Sequence, residues 1–283
     1  MQSNSGKVLV ATDLSPHSDR ALDRAVSLAR QIEAELHVVH AIEGEPPSGH
    51  RDELRREAER LIGAYVRSAR AGRGLAFSTH VTFGPGPEAI IRCAEETKAD
   101  IVILGTHKPR TGDLLRHTTI ARVLRESGRP VLLVTERPFT PYRKVMVAVD
   151  MSECSRTALE FALRLLPEAE LTVVHAYEVP FATFISGEDS DRTVEAKHRE
   201  NIERLIAGEV EAFLDRYSGK APSIRQVVAR GMVREVVRNE TKRSRPELLV
   251  IGTHGRSGVA HALLGSVAED LLRQPPCDIL AVR

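Results

Sequence analysis

Lys144-Val-Met-Val-Ala-Val-Asp150-Met-Ser152 repeats, almost residue for residue, the stretch Lys7-Val-Leu-Val-Ala-Thr-Asp13-Leu-Ser15. Three further landmarks follow each copy in the same order. Glu35-Leu-His-Val-Val-His40-Ala41 returns as Glu170-Leu-Thr-Val-Val-His175-Ala176. Ile101-Val-Ile-Leu-Gly-Thr-His107 returns as Leu248-Leu-Val-Ile-Gly-Thr-His254, and Pro130-Val-Leu-Leu-Val134 as Asp278-Ile-Leu-Ala-Val282. Four ordered matches make the chain a tandem repeat, which must be recognised before any fold is assigned. The extra length of the second half falls between its second and third landmarks. Pro138 and Pro141 punctuate a short linker between Arg137 and Tyr142, so the domains divide as 1–138 and 139–283.

The landmarks are short, nearly continuous apolar runs, as expected of strands buried on both faces of a parallel sheet. Helical patterns lie between them. Leu54, Ala58, Leu61, Ile62, Tyr65 and Val66 share one helical face, and Val194, Ile202, Leu205, Ile206, Phe213 and Leu214 do the same in the second half. Asp52 and Arg56 have the spacing of a helical ion pair. Strand–helix alternation with right-handed crossovers predicts an α/β fold: two doubly wound parallel-sheet domains of about five strands each.

Composition narrows the function. The 283 residues are 28% charged and 42% hydrophobic, ordinary values for a folded globular chain. Forty Lys and Arg against 39 Asp and Glu leave a net charge of +1, so no global basic field holds nucleic acid. No run of about 18 apolar residues spans a membrane, and Met1 to Lys7 lacks an apolar signal core. Three scattered cysteines, Cys93, Cys154 and Cys277, predict a reducing, cytoplasmic location and no disulfide framework.

In an open parallel sheet, ligands sit beyond the carboxyl ends of the strands where the strand order reverses. In the second half that region contains Asp150, the His175-Ala176 pair and the loop Gly252-Thr253-His254-Gly255-Arg-Ser-Gly258-Val-Ala-His-Ala-Leu-Leu-Gly265-Ser266-Val267. The glycines allow positive φ and close approach of backbone to ligand. Gly265-Ser266 opens a helix, whose N–H groups and dipole favour an anion. Structural readings compete with this one. Ser266 and Glu269 have the spacing of a capping box, and Asp13 and Asp150 suit helix N-caps. His40 and His175 read as hydrogen-bonded histidines, Cys93 as a small buried side chain. No ligand spacing supports a zinc site from His107, His117 and Asp13.

Gly252-x2-Gly255-x9-Gly265-Ser266 matches the nucleotide-binding pattern of the universal stress protein family, and the Val-Ala-Val-Asp-Met-Ser opening also resembles that family. The resemblance covers nearly the whole chain, twice. It implies a five-stranded parallel α/β fold in each half and ATP as ligand, with or without Mg2+, and with AMP or another adenine nucleotide remaining an alternative. It implies that Asp150, Met151 and Ala176 lie on the adenosine side, and Gly252, Thr253, Gly255, Gly265, Ser266 and Val267 around the phosphates. It also suggests that Val131–Val134 and Ile279–Val282 pair within the chain as a pseudo-dimer, with a homodimer of chains an open alternative.

The first half departs from the pattern. Asp13, Ala41 and Gly105 are retained, but Lys108, Thr118 and Thr119 stand where the second half has Gly255, Gly265 and Ser266. A β-branched Thr118 resists positive φ, and Lys108 with Arg110, Arg116 and His117 adds bulky cations. This predicts a degenerate first pocket, either empty or suited to another anion. No nucleophile–base pair or two-carboxylate metal site appears, so no catalytic residue and no metal ligand is assigned. The reading that results is a nucleotide-dependent sensor or regulator of the stress response. A slow ATPase or nucleotidyl-transfer relative is the enzymatic alternative. A partner or ligand module using the first pocket or the Phe181-Ala-Thr-Phe184 loop is a third.

Overall fold

The computed structural model describes residues 6–44, 46–69, 71–106, 118–136, 140–178, 192–255 and 264–283. The first half runs β1 (Lys7–Ala11), α1 (Pro16–Gln31), β2 (Glu35–Ile42), α2 (Arg51–Ser68), β3 (Phe77–Phe83), α3 (Gly86–Thr97), β4 (Ile101–Gly105), α4 (Thr119–Glu126) and β5 (Val131–Val134). The second repeats it with β6 (Lys144–Ala148), α5 (Glu153–Leu165), β7 (Glu170–Tyr177), α6 (Arg192–Leu214), β8 (Ser223–Arg230), α7 (Val233–Ser244), β9 (Leu248–Gly252), α8 (Ser266–Arg273) and β10 (Asp278–Val282).

The strands form one sheet in the order β3-β2-β1-β4-β5-β10-β9-β6-β7-β8. Within each half all pairings are parallel. The halves join where β5 and β10 pair antiparallel, Leu133 with Ile279, Leu132 with Leu280 and Val131 with Ala281. Alternation along each strand feeds two cores. Val8 and Val10 face α1 and α2, Leu9 faces α3 and α4, and the second half repeats this with α5 and α6 against α7 and α8. Strand order reverses between β1 and β4, and between β6 and β9, so each crevice opens at the carboxyl ends of those strands.

Two expectations about α2 are corrected. Its core face carries Ala58, Ile62 and Val66 with Tyr65 beside them, whereas Leu54 and Leu61 are 40% and 41% exposed. Leu205, the counterpart of Leu61, is 70% exposed. A seven-residue spacing drifts around a 3.6-residue helix, so a broad apolar stripe overestimates the width that the sheet covers. Asp52 does not pair with Arg56. Arg56 Nε donates to the Asp52 backbone carbonyl, and the carboxylate lies 3.9 Å from Arg55.

Candidate functional site

The turns after β1 and β6 are the same device. Ser15 and Ser152, not the aspartates, are the N-caps of α1 and α5, with side chains accepting from Ser18 N and Ser155 N. Each aspartate instead folds onto the cap from two residues upstream: Asp13 Oδ1 accepts from Ser15 N and Asp150 Oδ1 from Ser152 N, both at 3.0 Å. The intervening Leu14 and Met151 take the left-handed conformation, at φ 61° and 63°. Non-glycine residues pay for that conformation in strain, which concentrates at sites where surroundings over-determine the backbone. The histidines supply part of that constraint. His40 Nδ1 donates to Thr12 O and His175 Nδ1 to Val149 O, each at 2.8 Å, so both are buried braces of the aspartate turn, as the sequence predicted.

In the second half Gly252, Thr253 and Gly255 continue from β9 beside this turn. None of Gly252, Gly255 and Gly265 has positive φ. What the glycines supply is space. A β-carbon at Gly255 would sit 2.7 Å from Asp150 Oδ2, one at Gly252 would sit 3.0 Å from Cys154 Sγ, and one at Gly265 would sit 3.1 Å from Thr253 O. Asp150 and Gly255 are therefore brought together, with the carboxylate and the loop backbone in direct apposition. Cys154, in the first turn of α5, underlies Gly252, and its Sγ donates to Val282 O over 3.4 Å. Thr253 is buried, its Oγ1 2.9 Å from His254 Nδ1. The sequence marked Thr253 as part of the loop, but not the packing of Cys154 beneath Gly252, because nothing local marks a residue packed under a loop. Ala176 is half-buried at the end of β7, and Met151 packs against the core.

The helix starts separate the two halves. Gly265 caps α8 at φ −60° and ψ 145°, with no side-chain hydrogen bond to the first turn, and its N–H donates to Thr253 O at 2.8 Å. Ser266 and Val267 are the first residues of the helix and Val267 is 37% exposed. The capping box does not form: Ser266 lies inside the helix and Glu269 pairs with Arg273 at 3.2 Å. In the first half Thr118 caps α4 with φ −82° and ψ 154°, and its Oγ1 accepts from Ala121 N at 3.3 Å. Thr118 therefore differs from Gly265 in its added cap, not in a forbidden φ. Thr119 opens α4, Gly105 ends β4 and Ala41 lies near the end of β2. Lys108, His107, Arg110, Arg116, His117 and the Phe181–Phe184 segment lie outside the described residues.

The thiols are not alike. Burial pushes Cys93 up to about 11, and burial followed by the Asp278 carboxylate pushes Cys277 up to about 12. Among the described residues no group of three or more His, Cys, Asp or Glu side chains is placed to hold a metal, and no helix is long and apolar enough to cross a membrane.

A model of the universal stress protein family matches residues 4–135 and again residues 141–283. The chain belongs to the universal stress protein family. It carries two universal stress protein domains in tandem, and full-length relatives share that span. The universal stress protein Rv2005c of Mycobacterium tuberculosis is 26% identical over 297 residues, covering 98% of this chain and 96% of that protein. The universal stress protein A homolog 1 of Coxiella burnetii is 30% identical over 150 residues, covering 50% of this chain and 96% of its own length. The crystal structure of a universal stress protein from Archaeoglobus fulgidus superposes with a TM-score of 0.69 at 20% identity, covering 98% of both chains, which establishes the shared fold.

Proposed function

We propose that the second universal stress protein domain binds an adenine nucleotide, ATP with Mg2+, and that the first domain does not bind it in the same way. One contrast carries the reading. The first-turn N–H groups of α8 open onto the Gly252–Gly255 loop without a side-chain cap, whereas those of α4 are capped by Thr118. An uncapped helix start beside close-packed glycines suits a phosphate. Ser266 and Val267 would meet the phosphates with their N–H groups, and Gly252, Thr253 and Gly255 would line their approach. Asp150 would accept from a ribose hydroxyl or the base amine, with Met151 and Ala176 giving the adenosine apolar surface. The domain then acts as a regulator in the stress response: nucleotide stabilises one conformation or assembly over another, in proportion to its difference in affinity for the two.

The test is to denature the freshly purified chain, quantify adenine nucleotide by chromatography and mass spectrometry, and titrate the emptied protein with ATP and magnesium. About one nucleotide per chain is expected, with phosphate release no faster than the uncatalysed background. Two per chain, or binding that survives Gly265→Val in a folded protein, overturns the assignment. Valine is expected to abolish binding, because its β-carbon meets Thr253 O at 3.1 Å and its methyl groups fill the helix start.

A further inference from the structure

The first half carries two imidazoles where the second half does without them. His37 on β2 and His80 on β3 occupy the register positions of Thr172 on β7 and Val227 on β8. Val227 packs against the apolar core. The fold therefore has no need of histidine at either position, and burying two imidazoles disfavours the folded state unless they satisfy each other. They do so at one nitrogen each: His37 Nδ1 and His80 Nε2 are 3.2 Å apart, while the buried His37 Nε2 has no hydrogen-bond partner among the described residues. Ring centroids 5.4 Å apart, with that nitrogen contact, mean that the rings meet nearly end-on. One N–H lies between two nitrogens.

The surrounding charges assign its direction. Glu35 Oε2 on β2 lies 3.6 Å from His37 Nε2, which favours the proton on that nitrogen and leaves Nδ1 as the acceptor for His80 Nε2–H. The other charges that act on the pair are Lys7 on β1 and Glu96 on α3. Burial holds His37 below the ordinary imidazole range, helped by His80 and Lys7 and opposed by Glu35. Burial likewise lowers His80, opposed by Glu96. A first added proton goes to His80 Nδ1 and keeps the contact. A second must go to His37 Nδ1, the nitrogen that accepts the hydrogen bond, so two N–H groups then face each other and the contact breaks. Among the described residues β3 is the outermost strand of the sheet and has β2 as its only strand neighbour.

We propose that the His37–His80 contact is an acid-sensitive latch that holds the edge strand β3 onto β2 and releases it as protons bind. The opened state, with solvated imidazoles, binds protons more tightly than the closed one. Opening is therefore suppressed above the ordinary histidine pKa of about 6.5 and grows as pH falls below it.

The molecule contains its own control, because β8 is the equivalent edge strand and has no histidine. Amide exchange of residues 77–83 and 223–230, corrected for intrinsic rate, would be followed by mass spectrometry in the full chain from about pH 7.5 to about pH 4.5. The opening constant of β3 is expected to rise more steeply than that of β8 as the pH falls, because both imidazoles are held below their ordinary range in the closed state. In His37→Thr with His80→Val, which transplants the residues of the second half, the excess should vanish. Should that pair not fold, His37→Gln with His80→Gln, which can hydrogen-bond without titrating, should also make β3 track β8. Parallel behaviour of β3 and β8 in the wild type, or an excess that persists in a folded variant, overturns the latch.

Discussion

Gly255 is the residue at which the second site is tightest. Its missing side chain leaves room for Asp150 Oδ2, and a methyl group there would overlap it at 2.7 Å. Gly255→Ala should therefore displace the carboxylate while leaving the backbone unstrained, since its φ is not positive. ATP affinity by calorimetry is expected to fall about tenfold or more, with stability changed by less than about 1 kcal/mol. Cysteine reactivity belongs to the same scale. Cys93 and Cys277, pushed to about 11 and about 12, stay thiols at neutral pH. The half-buried Cys154 is the one expected to label first with a maleimide at about pH 7.5, read by peptide mass spectrometry, because the other two are held in the unreactive thiol form. Labelling there would press on Gly252, so bound nucleotide should slow it. Asp150 and Gly252 were marked in the sequence by a motif repeated in the first half, and Gly255 and Gly265 by the glycine spacing that resembles the family pattern. Their reason was not: the sequence suggested backbone freedom, whereas the structure shows close approach.

At the scale of the element, α4 and α8 are the same helix with different beginnings. Thr118→Ala removes the hydrogen bond to Ala121 N and should lower stability by about 1 kcal/mol in urea unfolding. Gly265→Thr would add a cap to α8 but also the β-carbon that meets Thr253 O at 3.1 Å, and it should weaken nucleotide binding because cap and phosphate compete for the same N–H groups. Strands and helices were legible because apolar runs and helical periodicity are local properties. The outward turn of Leu54 and Leu61 was not, because how much of a helix face the sheet covers depends on how the helix lies across it.

At the scale of the molecule, one buried carboxylate ties the halves together. Asp278, which begins β10 and stands where the first half has Pro130, accepts from Arg24 Nε at 3.1 Å, Tyr142 OH at 2.6 Å, Thr135 N at 2.8 Å and Thr135 Oγ1 at 3.0 Å. Arg24 also donates to Thr140 O and lies over the Tyr142 ring at 4.0 Å. Burial, then the charge of Asp278, pushes the Tyr142 hydroxyl well above its ordinary range, so it remains a donor. The side chains of Arg24 and Asp278 are 7% and 4% exposed. Asp278→Ala would strand the guanidinium and should lower stability by about 3 kcal/mol. Asp278→Leu with Arg24→Met should lose less, because neither charge is then left alone. Urea unfolding of the full chain distinguishes these outcomes.

The sequence by itself determined that the chain is a tandem α/β repeat, where four of the strands in each half run, and that the two glycine loops differ. Those properties are written in local periodicity and in a motif that occurs twice in one chain. Only the tertiary structure decided that Asp278 reaches across to Arg24 and Tyr142, that Cys154 underlies Gly252 and that His37 meets His80. Each of these contacts joins residues far apart in the chain. Which partners meet is set by strand pairing, β5 with β10 for Asp278, β6 with β9 for Cys154 and β2 with β3 for His37, and no local pattern records that choice.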